Sequence, residues 1–564
     1  MSENNNRKAN KKRTSNESFL DKIKRKEENQ RLKNSRELKV LSKSTLNKRL
    51  LFVMIFFVLL FMGLALYLVY FQLFKAKSIA SNDNNRRNWI NEDTIARGKI
   101  LDRNDNVLAY SDYDQNGNQY RHYNYGKASS TVTGYNSKTY GKTGIEKTFN
   151  KWLLNLKDEN MSNFRKMVVT NDVGNDLHLT IDQNIQNLTY NYMSDHVGAA
   201  VVMNPKTGEI LAMVSNPTFD PNNIDANWDN LIANNNGPLV NRTTTGLYRP
   251  GSTFKIVTAN AMLESNIDEN YEDTGSELIQ NFEIKNFDGL AFGNLDLRKA
   301  FMYSSNTYFA AKTNEMGKET LANMTDRYMF NKTYPFDLEK YDSIIPYKEL
   351  NQVDLAMTGF GYGKSQVTPL HMAMVTSTIA NGGVMMQPRL VKTITDKEGK
   401  ELYEAKEEKL SIVTSQRRAN NIRDMMVDVV NEGTGKAAYI DGIQVAGKTG
   451  TTDKSNGFID AWFVGFAPAY DPQIVIAIVV EDAADTGGVT VAPIARNLMR
   501  DIFNQVRLDW LYKLIFDIWP IMVFIENKFF YCLIWNFYSN FIILAAILLT
   551  IKYKYSVVVI SFRN

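Results

Sequence analysis

The chain has 564 residues, enough for two or three domains with at least one large core, and a net charge of only +5. A single cysteine, Cys532, excludes an intrachain disulfide and a cysteine metal cluster, and four scattered histidines argue against a zinc site.

The charge is uneven along the chain. Residues 1–49 carry 16 Lys or Arg against 6 Asp or Glu, so this tail is about +10 and the rest about −5. Its Asn, Ser and Lys content predicts a disordered basic tail. Residues 50–74, "LLFVMIFFVLLFMGLALYLVYFQLF", follow without one charge. That exceeds the roughly 20 residues a helix needs to cross a bilayer and is too long for a signal-peptide apolar region. An uncleaved anchor is expected, with the basic tail cytoplasmic and the remainder extracytoplasmic by the positive-inside rule. This placement argues against a nucleic-acid partner.

Residues 75–175 are polar and read as a small extended module, with Asn104-Asp105-Asn106 as a turn between two strands. A larger unit, 176–505, opens with a helical pattern, then two apolar strands around Pro205-Lys206-Thr207-Gly208. It closes with three strand-like runs, "GIQVAGKTGTT", "GFIDAWFVGFAP" and "QIVIAIVVEDA", separated by short turns. With helical patterns between 250 and 440, this predicts an α/β fold whose central sheet is antiparallel and flanked by helices. The tail 506–564 holds an uncharged run, Phe529 to Ile551, that either spans a membrane a second time or belongs to no fold.

Chemistry first surfaces in "LYRPGSTFKIVTAN". Pro250-Gly251 turns the backbone sharply, and Ser252 falls where a helix should start, near free N–H groups and positive potential. Lys255 lies three residues on, on the same face, and could serve as base once burial or a neighbouring cation depresses its pKa. Taken alone, the pair reads more readily as an ordinary helix cap and a surface lysine than as catalytic. Two further elements change that reading. Ser304 and Asn306 form S-x-N, and Lys448-Thr449-Gly450 form K-T-G on a strand. S-x-x-K, S-x-N and K-T-G in that order are the signature of active-site serine enzymes that react with penicillin. Ser304 can relay a proton to a leaving amine and Asn306 can hold a substrate amide. Lys448 and Thr449 can take a carboxylate, Gly450 admits substrate backbone, and Thr451 offers an N–H that pairs with that of Ser252 as an oxyanion hole.

On these residues the chain resembles a class B penicillin-binding protein, a monofunctional peptidoglycan transpeptidase. The resemblance extends over residues 50–505 through "ARGKILDRNDNVLA", "GKTGIEKTFN", "MNPKTGEILAMVSNPTFDPN" and "GFGYGKSQVTPLHMAMVTSTIANGG". The short pedestal resembles the Gram-positive members called penicillin-binding protein A. The resemblance implies a penicillin-binding transpeptidase fold behind a transmembrane helix and pedestal. It also implies acyl transfer through Ser252 from peptidoglycan stem peptides, inhibition by β-lactams, no metal or cofactor, and a separate polytopic glycan polymerase as partner.

Rival readings remain at this point. Gly442 to Thr449 satisfies the phosphate-loop pattern G-x-x-x-x-G-K-T, yet turn formers follow it where a helix is required. Water replacing the acceptor amine would make a D,D-carboxypeptidase. A β-lactamase-like hydrolase needs a glutamate four residues before Asn351, where Tyr347 stands, although Glu349 is close. Lys142-Thr143-Gly144 repeats K-T-G out of order and reads as structural.

Overall fold

A computed structural model describes residues 19–39, 43–75, 95–115, 119–155, 173–265, 267–454 and 457–505. The proposed second span and Cys532 lie outside them. The chain divides into two units, Met1–Asn88 and Trp89–Asn564.

The first unit contains helix α1, Phe19–Lys39, and helix α2, Lys43–Tyr70, which ends in a π-helical turn, Phe71–Lys75. Within the basic tail, Phe19–Lys39 stands as a helix where disorder was expected. It contains neither Gly nor Pro and is rich in Lys, Arg, Glu and Leu. These are strong helix formers, and Glu27 and Arg31 stand at the favourable i, i+4 spacing. The segment Lys48–Lys75 is long and apolar enough to cross a membrane.

The second unit opens with a six-stranded sheet. Strands β1 (Ile100–Leu101), β2 (Val107–Tyr113) and β3 (Gln119–Tyr123) form an antiparallel meander. The turn at Asn104 is held by Asp102, whose carboxylate accepts from the backbone N–H of Asn104 and Asn106. The sheet does not stop at residue 175. Strand β4 (Asp176–Leu179) pairs parallel with β1, and β11 (Val391–Thr395) and β12 (Glu401–Glu404) extend it in the order β12-β11-β4-β1-β2-β3. Three of the six strands thus come from the segment expected to be a separate domain. Beneath the sheet, Arg97 and Arg121 both bond Glu146, which is wholly buried.

The second sheet carries the site. Its order is β13-β14-β15-β5-β6, antiparallel throughout, with β5 at Gly198–Met203, β6 at Ile210–Asn216, β13 at Ala446–Asp453, β14 at Ile459–Ala467 and β15 at Ile474–Ala483. Both faces are apolar, so its strands read as continuous hydrophobic runs. Val201, Trp462, Val464, Ala477 and Val479 join the main core. Val202, Phe463, Ile476 and Ile478 point the other way, into a second core with Leu498 and Met499 of the helix at 487–505 and Met193 of α3 (Gln183–Met193). This alternation is the period-2 geometry of strands, satisfied on both sides. Six of the helices between β6 and β13 in sequence pack into the main core. They are α4 (Lys255–Ser265), α5 (Leu297–Tyr303), α6 (Asn306–Met316), α7 (Lys318–Arg327), α8 (Pro369–Ala380) and α9 (Gln416–Asn431). Helix α8 is buried along nearly its whole length. Between α4 and α5 stand two ribbons, β7 (Tyr271–Asp273) with β10 (Gly293–Leu295), and β8 (Ser276–Ile279) with β9 (Phe282–Lys285).

Candidate active site

The turn before α4 is set by Gly251, whose φ of +53° favours glycine. Ser252 therefore lies in a 3-10 turn, Gly251–Phe254, and the α-helix begins at Lys255. The sequence had placed the helix start at Ser252, and the positive φ one residue earlier accounts for the shift. This turn seats on β13. A Cβ at Gly251 would come within 2.8 Å of Thr452 Cγ2 and 2.9 Å of the Thr451 carbonyl, and one at Gly450 within 3.1 Å of the Pro250 carbonyl. Gly251 N–H also bonds the carbonyl of Gly361, at 3.0 Å.

Lys255 points away from solvent. Its Nζ donates to the Ser304 carbonyl at 2.7 Å, to Asn306 Oδ1 at 2.9 Å and to Ser304 Oγ at 3.2 Å. Lys448 Nζ reaches the same hydroxyl from β13, at 2.9 Å. Ser304 thus bridges two ammonium groups that are each fully buried. Ser304 is the left-handed residue, φ +62°, between α5 and α6, and that conformation presents its carbonyl as well as its hydroxyl to Lys255. Burial, and then the charge of Lys448, push the pKa of Lys255 well below its usual value, while Asp273 opposes them. Burial pushes Lys448 down to about 7. Among the described residues no side-chain hydrogen bond joins Ser252 to Lys255.

The alternation of β13 sorts the rest. Lys448 and Gly450 face the helices, where Gly450 lies against Thr253. Thr449 and Thr451 face the other side, where Thr449 Oγ1 meets Thr434 Oγ1 at 2.7 Å and Thr451 Oγ1 accepts from the N–H of Gly487 at 3.2 Å. The fold thus brings Lys255, Ser304, Asn306 and Lys448 into one hydrogen-bonded corner. It sets the Ser252 turn and Thr451 side by side.

Several contributors carried no sequence signal. Tyr362 donates its hydroxyl to the Thr451 carbonyl at 3.0 Å, and Gly361 beside it leaves no room for a side chain, since a Cβ there would lie 1.9 Å from the Gly251 carbonyl. Ser305, the x of S-x-N, is buried and caps α6. Thr434, Asp273 and Asn286 belong to no motif. The phosphate-loop reading of Gly442–Thr449 is corrected: the run enters β13, which continues to Asp453, and no helix follows. Glu349 is exposed, at the end of a 3-10 turn. Among the described residues, no cluster of acidic, His or Cys side chains is placed to hold a metal.

Comparison with known proteins agrees with this geometry. Residues 198–500 match the penicillin binding protein transpeptidase domain, and residues 97–175 the penicillin binding protein A dimerisation domain. The chain belongs to the penicillin-binding protein transpeptidase family, in its class B form. It is 30% identical over 458 residues to the peptidoglycan D,D-transpeptidase PbpA of Mycolicibacterium smegmatis, spanning 75% of this chain and 92% of that one. Among solved structures, the D,D-transpeptidase domain of a peptidoglycan glycosyltransferase from Eggerthella lenta is 36% identical, with TM-score 0.67, over 74% of this chain and 100% of that chain. Penicillin-binding protein A from M. tuberculosis, as an imipenem acyl-enzyme, is 29% identical with TM-score 0.67 over 72% and 99%.

Proposed function

We propose that this chain is a membrane-anchored serine D,D-transpeptidase that cross-links peptidoglycan stem peptides through an acyl-enzyme on Ser252. The observation that carries the assignment is the buried corner in which Lys255 and Lys448 share Ser304 Oγ. Burial and then the charge of Lys448 make Lys255 hold its proton weakly, which favours its neutral form as the base that takes the Ser252 proton.

In the first half-reaction Ser252 Oγ attacks the carbonyl carbon between two D-alanines and its proton passes to Lys255 Nζ. The N–H groups of Ser252 and Thr451 receive the oxyanion. Lys255 returns the proton through Ser304 Oγ to the departing D-alanine nitrogen, the C–N bond breaks, and an ester remains on Ser252. Asn306 holds the peptide amide. In the second half an amine of a neighbouring stem attacks the ester, loses a proton by the same route, and releases Ser252. β13 is the edge strand of its sheet, so a stem peptide can lie along it as an added strand beside Gly450. Thr449 takes the substrate carboxylate, while Lys448, on the opposite face of β13, stays at the Ser304 hydroxyl. A β-lactam enters the same path and stops at the ester.

The basic tail is cytoplasmic and the catalytic part extracytoplasmic, following the charge asymmetry about α2. A polytopic glycan polymerase that supplies uncross-linked strands is the expected partner of this anchor. Exchanging the anchor for an unrelated one should reduce cross-linking at unchanged expression; unaltered cross-linking would sink that partnership.

The assignment is tested by mass spectrometry of the full-length protein in detergent after exposure to benzylpenicillin. A stable adduct on the peptide containing Ser252, absent from Ser252→Ala, is expected. Rapid loss of the adduct would indicate a β-lactamase instead, and no adduct on folded protein would overturn the reading.

A further inference from the structure

The turn that holds Ser304 and Asn306 rests on a buried carboxylate outside the three motifs. Asp273, at the end of β7, is 1% exposed. Both its oxygens only accept. Oδ1 takes the N–H of Gly275 at 2.8 Å and Asn286 Nδ2 at 2.8 Å, while Oδ2 takes Asn286 Nδ2 at 2.9 Å and Ser305 Oγ at 2.6 Å. An acceptor-only set of this kind is the one an ionised carboxylate needs. Asn286, turned by that grip, aims its own Oδ1 at the start of α6, accepting from the N–H of Asn306 at 2.7 Å and of Thr307 at 3.1 Å. Asp273 therefore holds the S-x-N turn by two routes, directly through Ser305 and indirectly through Asn286.

We infer that Asp273 is a positioning residue for acyl transfer, which locks the Ser304–Asn306 turn and sets one buried negative charge within reach of Lys255. A buried charge is needed there rather than a neutral acceptor, because two ammonium groups converge on Ser304 in a site with little solvent. Several other cations on helices packed around α4 are neutralised by acidic partners of their own. Lys312 on α6, Arg327 on α7, Arg298 on α5 and Arg418 on α9 are each paired with Glu315, Glu264, Asp428 and Glu264 respectively, and His371 on α8 is kept neutral near pH 7 by burial. Lys448 and Asp273 are the charged groups acting on Lys255, with opposite sign. Asp273 thus keeps Lys255 from becoming too weak a base to take the Ser252 proton.

This inference rests on the assignment of Ser252 and Lys255 above. The test is the rate of acylation by a fluorescent penicillin, measured from pH 5 to 9 on full-length protein, with melting temperature measured alongside. Asp273→Asn removes the charge and one acceptor at nearly constant size, and should move the acid limb of the profile to lower pH by about one unit. Ser305→Ala keeps the charge and cuts its direct link to the turn, and should slow acylation about tenfold with the acid limb in place. A merely structural role would lower the melting temperature of either variant without moving the limb. An unmoved limb in folded Asp273→Asn, or an unchanged rate in Ser305→Ala, overturns the inference while labelled wild type keeps the Ser252 assignment standing. Wild type that took no label would sink both. If Asp273→Asn does not fold, the rate of Ser305→Ala decides.

Discussion

Lys448 shows how the proposed site is assembled against stability. Its ammonium is fully buried on β13 with a pKa near 7, while in the unfolded chain it returns to about 10.5. Between those values the unfolded chain binds a proton that the folded chain has released, so stability rises with pH across this window. Wild type should gain roughly 2 kcal/mol relative to Lys448→Met between pH 7 and pH 9 by denaturant unfolding. Equal slopes for the two proteins would show that the lysine is solvated in the fold. At this scale the sequence singled out Ser252, Lys255, Ser304, Asn306 and Lys448, because each belongs to a short local pattern. It was silent on Asp273, Asn286, Tyr362 and Thr434. They act through hydrogen bonds made only once the chain has folded, and no local pattern distinguishes them from other polar residues.

At the scale of elements, the approach of the Ser252 turn depends on a glycine from another segment. Gly361→Ala places a methyl group against the Gly251 carbonyl in a backbone with φ +83°, and the turn must leave β13 to admit it. Acylation should fall at least about tenfold although no motif residue has changed; a wild-type rate would show that the turn does not need this seat. Helix α8 makes a separate prediction. His371 is wholly buried on it, its Nε2 at 2.8 Å from the Tyr328 carbonyl and its ring against Phe330, and burial lowers its pKa to about 4. The unfolded chain protonates at about 6.5, so stability is lost as pH falls from 6.5 toward 4. His371→Gln should remove roughly 3 kcal/mol of that acid sensitivity, read as a smaller drop in melting temperature between pH 6.5 and 4. Helix α1 is the element where composition misled. High charge predicted disorder, but charged residues that are also good helix formers can sustain a helix without a core.

For the molecule as a whole, the six-stranded sheet makes the pedestal and the start of the catalytic part interdependent. β4, β11 and β12 complete a sheet begun by β1 to β3, and the ion cluster of Arg97, Arg121 and Glu146 lies beneath it. Glu146→Ala leaves two guanidinium groups buried without their shared carboxylate. It should cost about 3–5 kcal/mol of stability, while folded protein still acylates at the wild-type rate. A loss of acylation at unchanged melting temperature would assign Glu146 to the chemistry instead. The sequence by itself determined the order of motifs, the apolar strands of the second sheet, the anchor segment and the family, because each is written in residue type and spacing along the chain. Only the tertiary structure decided that β4, β11 and β12 close the pedestal sheet, that Lys255 and Lys448 converge on Ser304, and that Asp273 lies within reach of Lys255. Those arrangements depend on which distant segments share a core, and on the burial that shifts a lysine's protonation, neither of which a local pattern encodes.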